Sequence, residues 1–278
     1  MEEVIRYYEE TWNDYRSMWS DRHSQALHFG YYDDTARTHV RALLNTNRVL
    51  SDLAQVRPGT VVLDAGCGVG GSTCWLAEYR DARCVGISPV VRQVRQARAL
   101  AVARGVSEKV QFVCTDYTRA SFADRTFDVV WALESVCHAA QKESFYREAA
   151  RLLKPGGRLV IAEYMRISRP AEPAEESLLR EWFKGWSMPD LDTRDEHHRH
   201  AEDAGFAHVA VRDFTPVVIK SLRRLHGLAL TFGMADWILH RIGLRSGEQH
   251  RNVIASRVQY EAVQRNLWFY GVLSARMP

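Results

Sequence analysis

Residues Val61 through Gly71 read VVLDAGCGVGG, and no other stretch constrains the fold as strongly. A short apolar run predicts a buried strand, Asp64 marks its end, and a glycine-rich turn leads into a helix from Ser72. Glycines in such a turn let the backbone approach a ligand that a Cβ would obstruct. The turn therefore predicts a nucleotide-like cofactor, held where a strand hands over to a helix.

The pattern that follows alternates. Strands are predicted at Val61–Asp64, Arg83–Ile87, Val110–Thr115, Phe127–Ala132 and Arg158–Ala162. Helices are predicted at Ser72–Tyr79, Val91–Arg104 and Phe145–Leu153, the last stopped by Pro155-Gly156-Gly157. This alternation implies an α/β fold with a parallel sheet covered on both faces, and a ligand at the carboxyl ends of its strands. Ahead of it, Val4, Tyr8, Trp12, Tyr15 and Trp19 recur at helical spacing within residues 1–20, and a second helix is expected over 36–55. Residues 166–205 carry Pro170, Pro173, Pro189 and the run Trp182-Phe-Lys-Gly-Trp186, which read as helices inserted over the sheet. Beyond them, Phe206–Phe214 and Val217–Ile219 are expected as strands, 221–242 and 248–266 as helices, and Leu267–Arg276 as a last strand. The implied division is a helical cap (1–57), a cofactor-binding core (58–165), a helical lid insertion (166–205) and remaining core strands with substrate-side helices (206–278).

Composition excludes other classes. A chain of 278 residues buries a substantial core. A net charge of +3 is too small to argue for nucleic acid or a membrane surface, and neither nucleic acid nor integral membrane is an expected partner. No apolar run reaches transmembrane length. The N-terminus lacks a signal pattern, and five cysteines without a Cys-x-x-Cys pair suit a reduced, cytoplasmic protein rather than a disulfide or zinc framework.

Three features select among cofactors. Asp64 precedes the glycines, where a carboxylate sits poorly beside a pyrophosphate but suits a cationic amino or sulfonium group. The second strand ends Gly86-Ile87-Ser88, without the acid a dinucleotide ribose needs. The third ends with Asp116, an acceptor for an adenine amino group. Together with Phe127-Asp-Val-Val-Trp131 and Leu153-Lys-Pro-Gly-Gly157, these features resemble the class I S-adenosylmethionine-dependent methyltransferases, whose Rossmann-like sheet the protein is expected to share. The segments His28-Phe-Gly-Tyr-Tyr32, Gly86-Ile-Ser-Pro-Val-Val-Arg-Gln93 and Trp131-Ala-Leu-Glu-Ser-Val-Cys-His138 resemble the tocopherol and sterol C-methyltransferase group, to which the C-methyltransferases of geranyl diphosphate and other prenyl substrates are related. The resemblance implies that Asp64, Gly66, Gly68 and Gly70 serve the methionine part of the cofactor, with Cys67 among the cofactor contacts. It places Ile87, Ser88 and Gln93 at the ribose, and Asp116 and Tyr117 at adenine. Pro89 departs from the group's usual leucine.

The acceptor is less constrained. Methylation of an alkene carbon leaves a carbocation, which calls for aromatic faces and a base; an oxygen nucleophile calls for a base alone. Glu134 is the preferred base or cation stabiliser and also a cofactor contact, with His138 second, their i, i+4 spacing suggesting one helical face. Tyr31 is a third catalytic candidate, and it and Tyr32 lie in a loop that matches a segment of the group closing over the cofactor. Tyr15, Trp19, Tyr32, Trp182, Trp186 and Glu163 are candidate acceptor contacts. His197, His198 and His200 read as a solvated helix rather than a metal site, and Arg223-Arg224 as solvent-facing or, less simply, diphosphate-binding. The leading expectation is C-methylation of an isoprenoid or prenylated small molecule. O- or N-methylation, a non-catalytic cofactor-binding module and a nicotinamide reductase are the alternatives. The aromatic N-terminal helix would cap its own subunit or, in a homo-oligomer, a neighbour's.

Overall fold

A computed structural model describes residues 1–21, 24–169 and 171–278, leaving Arg22, His23 and Pro170, one of the three prolines of the expected insertion, outside the described residues. Seven strands form one sheet: β1 (Val61–Ala65), β2 (Arg83–Ser88), β3 (Val110–Cys114), β4 (Phe127–Leu133), β5 (Leu153–Arg166), β6 (Ala207–Asp213) and β7 (Trp268–Arg276), in spatial order β3-β2-β1-β4-β5-β7-β6. The first five run parallel. β7 is antiparallel to both β5 and β6, so the sheet is mixed rather than wholly parallel. The order reverses between β1 and β4, which opens a crevice at their carboxyl ends.

Alternate residues of the strands feed two cores, as a pleated strand dictates. Val129, Trp131, Val160 and Ala162 face one core, and Val130, Ala132, Leu159 and Ile161 the other. The second core is closed by α5 (Lys142–Leu152) and α7 (Arg194–Asp203). The first is covered by α1 (Glu2–Asp14), α2 (His39–Leu53), α6 (Pro173–Gly185), α8 (Thr215–Arg241) and α9 (Gly247–Gln264). The two helices within 166–205 thus part company, α6 packing on α9 and α7 on α5 and β6. Toward the far edge, α3 (Gly71–Tyr79) and α4 (Val91–Ala103) share a third, smaller core.

Two expected elements differ. Val217–Ile219 is not a strand but the first turns of α8. Pro216 starts the helix with its φ already set and no N–H to satisfy, and Val218 and Leu222 bury one helical face. Residues 1–20 are not one α-helix: α1 ends at Asp14 and continues as a π-helical turn, Tyr15–Trp19, before Ser20 becomes extended. The wider turn changes the azimuth of Tyr15 and Trp19 relative to the α1 stripe.

Candidate active site

The crevice opens into a cavity of about 1860 Å³ of empty space, its open mouth included, lined from one end by the strand tips and from the other by the helices above the sheet. At the strand end lie Asp64, Gly66, Cys67, Gly68, Ser88, Gln93 and Tyr117. Gly66 has φ +96°, and a Cβ there would collide with the Ser135 Cβ, so glycine alone fits. The N–H groups of Gly66 and Cys67 both donate to the Ile87 carbonyl, at 3.0 and 2.9 Å. A Cβ at Gly71 would come 2.5 Å from the Ser24 carbonyl oxygen, so the missing side chain lets the segment carrying Ala26–Phe29 close over the turn.

Asp64 is buried at the cavity wall, where Thr73 Oγ1 donates to it at 2.6 Å. Burial pushes its carboxyl up to about 7, because the charge has lost water without gaining a cation. Ser88 Oγ donates to Gln93 Oε1 at 2.7 Å, which turns the Gln93 amide into a fixed donor. Tyr117 donates to the Ser135 carbonyl at 2.7 Å.

Between the two ends stands Glu134, the first residue past β4, held at φ +48°. A left-handed non-glycine conformation is unfavourable and persists only where the surroundings impose it. Here they do: Oε1 accepts from the Phe29 N–H and the Tyr270 hydroxyl, both at 2.7 Å, and Oε2 accepts a short hydrogen bond from the Tyr164 hydroxyl. Despite three donors, burial pushes Glu134 up to about 7. His138 follows on a 3₁₀ turn, Val136–His138, so the pair does not share an α-helical face. The His138 Nδ1 lies 3.3 Å from the Ser187 carbonyl and is the N–H donor, which leaves Nε2 to accept from Tyr8 Oη at 2.9 Å. Burial holds this imidazole down at about 4, and it is neutral at physiological pH.

The helical end is lined by Tyr7, Tyr8, Tyr15, Trp19, Trp186 and Met188, and by an apolar row on α8, Leu225, Leu228, Phe232 and Leu239. It is pinned by ions. Arg245 binds Asp14 of α1 through two hydrogen bonds of 2.9 and 2.6 Å, and lies 2.5 Å from Asp236 of α8, which also meets His250 of α9 at 2.6 Å.

The structure therefore brings together Asp64, Gly66, Cys67, Gly68, Ser88, Gln93, Tyr117, Glu134, His138, Tyr15, Trp19 and Trp186. Seven expected residues stand off the cavity wall. Gly70 is the left-handed cap of α3. Ile87 contributes only its carbonyl, and Asp116 turns Oδ1 onto Thr118 N and Oγ1, both at 2.8 Å. The Tyr31 N–H donates to Ala42 O and Thr46 Oγ1, which draws the residue onto α2, where its ring packs on Phe214. Tyr32 lies beneath Lys220 and bonds His39. The 28–32 segment does close the cavity, but with His28 and Phe29. Trp182 is fully buried among Tyr164, Trp186 and Trp268. Glu163 is wholly buried and accepts from the Cys137 N–H at 2.8 Å, so it positions the turn that carries His138.

Tyr164, Tyr270, Asn252, Asp236 and Arg245 were not legible as site residues. Tyr164 and Tyr270 become partners only because β5 and β7 place them directly opposite. Tyr8, one of the recurring aromatics of the N-terminal stripe, is the member that reaches His138. His197 is buried against the Tyr146 hydroxyl rather than solvated, and no metal-binding cluster occurs among the described residues. Arg223 and Arg224 are exposed and off the cavity.

A family profile described as a methyltransferase domain matches residues 63–161. The 27-O-demethylrifamycin SV methyltransferase of Amycolatopsis mediterranei is 33% identical over 73% of this chain and 75% of its own length. The chain belongs to the class I S-adenosylmethionine-dependent methyltransferases. This methyltransferase is also 29% identical, along its whole length, to 78% of the probable chloroplastic tocopherol O-methyltransferase of Oryza sativa subsp. japonica. The [4+2]-cyclase SpnF has the same fold, with a TM-score of 0.81 and 21% identity over 99% of this chain and 95% of that one. So does the geranyl diphosphate C-methyltransferase of Streptomyces coelicolor A3(2), with a TM-score of 0.75 and 19% identity over 100% and 97%.

The methyltransferase's own residues fit S-adenosylmethionine. A buried carboxyl pushed up to about 7 at the cavity wall suits the cofactor's cationic amino group, which would ionise it. Gly68, whose Cβ would meet only Leu27, leaves the turn open toward the cavity.

Proposed function

We propose that this methyltransferase acts on an alkene carbon of a neutral, largely apolar isoprenoid or prenylated small molecule. The observation that carries the reading is the charge pattern of the cavity. Glu134 sits in an aromatic wall, and the one lysine or arginine among the described lining residues, Arg245, is already engaged by Asp14 and Asp236. Among the described lining residues no lysine or arginine is free to anchor a diphosphate, while aromatic faces and a carboxylate suit a transient positive charge on carbon.

When bound, S-adenosylmethionine supplies an electrophilic methyl whose bonding pair leaves with sulfur. The protein's task is to hold the acceptor's double bond in line with that methyl and exclude water. Asp64, the glycine turn, Ser88, Gln93 and Tyr117 are the lining residues that would hold the cofactor. The alkene pair forms the new carbon–carbon bond and leaves a cation on the neighbouring carbon. Tyr15, Trp19 and Trp186 surround that cation, and Glu134, fixed by Tyr164, Tyr270 and Phe29, offsets its charge and takes the proton whose loss restores a double bond. A carboxyl near 7 matches this work at neutral pH.

One observation favours a second reading. The unprotonated Nε2 of His138, which accepts from Tyr8, would serve as a base for a hydroxyl acceptor that took the place of Tyr8, which is O-methylation. Two experiments separate them. Incubation with S-adenosylmethionine and a panel of prenylated indoles, sterols, linear isoprenoids and phenols, read by mass spectrometry, should give a carbon-methylated isoprenoid; methylation of phenols alone overturns the alkene reading. His138→Gln should reduce turnover by only a few fold on carbon, whereas loss of a general base on oxygen costs about 10²–10⁴-fold.

A further inference from the structure

The helix α8 is apolar on two opposite faces. Leu225, Leu228, Phe232 and Leu239 line the cavity, while Leu230, Met234, Trp237 and Ile238, at i, i+4, i+7 and i+8, point outward. Leu230 is 53%, Met234 71% and Trp237 50% exposed, and Ile242 and Leu244 extend the patch at 62% and 70%. Isolated exposed apolar residues are ordinary, but a continuous stripe on one helix marks a surface with a partner.

The exposed charges carried by α8 itself have one sign. Lys220, Arg223 and Arg224 lie at one end and Arg241 at the other, all exposed. The Arg241 guanidinium lies 5.4 Å from the centre of the Trp237 ring. The single carboxylate on α8, Asp236, is turned inward and bound by Arg245 and His250. The overall charge of +3 conceals this local concentration. Leucine, methionine and tryptophan flanked by arginine and lysine is the composition of a helix that lies in a lipid interface. Among the described residues no helix is long and apolar enough to cross a membrane, so the geometry is one of lying on the surface. A second copy fits less well, since pairing this face with itself brings the cations of both copies into one interface.

We propose that the outer face of α8 docks on an anionic lipid bilayer, with Leu230, Met234, Trp237 and Ile238 inserted and Arg223, Arg224 and Arg241 among the headgroups. Phe232 and Leu239, on the cavity side of the same helix, are themselves partly exposed and give an apolar acceptor dissolved in the bilayer a route inward. That route rests on the acceptor proposed above; the docking does not.

The full-length protein is sedimented with vesicles of phosphatidylcholine alone and of phosphatidylcholine with about a third phosphatidylglycerol. Wild type should bind the anionic vesicles, less so at high salt. The variant carrying Leu230→Gln, Met234→Gln and Trp237→Gln should partition at least about 10-fold more weakly. Its affinity for S-adenosylhomocysteine should be unchanged, which shows that it is folded. Arg223→Gln with Arg241→Gln should remove the preference for anionic vesicles. The proposal is overturned if wild type stays in solution with anionic vesicles, or if the triple variant binds as wild type does. It is equally overturned if wild type is a dimer that the triple variant dissociates, which assigns the face to a second copy. Binding with no methylation of any isoprenoid would leave docking standing and reject the acceptor.

Discussion

The two ends of the cavity are built on different principles. The cofactor end is made of strand tips and one turn, positioned by backbone hydrogen bonds within a sheet whose strands are neighbours in space. The acceptor end is made of α1, α8 and α9, whose side chains meet across more than 200 positions of sequence: Tyr7 Oη donates to Asn252 Oδ1 at 3.0 Å, and Asp14 holds Arg245. The first is rigid because the sheet is; the second is held by a few long-range polar contacts. Cofactor recognition and acceptor recognition should therefore fail independently.

The largest expected effect lies at the acceptor end. Arg245→Met leaves Asp14 and Asp236 without their guanidinium and should lower stability by about 3 kcal/mol, as breaking a buried ion pair does. Acceptor KM should rise while the dissociation constant for S-adenosylhomocysteine changes less than about 2-fold, on the principle that distant sites act independently. Thermal unfolding and calorimetry read the two effects, and parallel loss of cofactor binding would break the division.

Next comes Asp64→Asn. Losing a charge-assisted contact of about 1.5–3 kcal/mol should weaken cofactor binding by roughly 10- to 10²-fold, with a smaller effect on stability than Arg245→Met. The pH dependence sharpens it. Burial raises the Asp64 pKa to about 7, so its protonated form predominates below pH 7. If the ionised form holds the cofactor's ammonium group, affinity should fall toward about 10-fold per unit as pH drops below 7, and fall again above about pH 8 as the ammonium loses its proton. Asp64→Asn should flatten the acid-side slope; an unchanged slope would assign the proton elsewhere.

Glu134→Gln, between the two ends, should reduce kcat by about 10-fold and shift the distribution of alkene products, with cofactor affinity preserved. A product mixture identical to that of wild type would remove Glu134 from the proton-loss step. The smallest effect is expected at Tyr31→Phe: its ring packs on Phe214 away from the cavity, so turnover should stay within about 2-fold of wild type.

Tyr31 also shows where sequence reading stops. The segment 28–32 was legible as a closing loop, but which side chains face inward depends on hydrogen bonds to α2 and α8. Gly30 donates to Ser221 Oγ and Tyr31 to Thr46 Oγ1, and these turn His28 and Phe29 toward the cavity instead. Val217–Ile219 has strand composition, yet Pro216 and the burial of Val218 and Leu222 make it helical. Glu163 is expected just past its strand, like Glu134, but β5 runs on to Arg166 and the Glu163 carboxylate meets the Cys137 amide rather than the cavity.

What the sequence determined by itself is the five parallel strands, the glycine turn and the class of cofactor. Those depend on short-range chemistry: a strand period, backbone conformations open to glycine, and a carboxylate adjoining the turn. What only the tertiary structure decided is the acceptor chamber. β7 slots antiparallel beside β5 and brings Tyr270 opposite Tyr164, so that two hydroxyls clamp Glu134. α8 turns one apolar face into the cavity and leaves the other outside. Periodicity says that a face is apolar; the packing of distant elements decides what it faces.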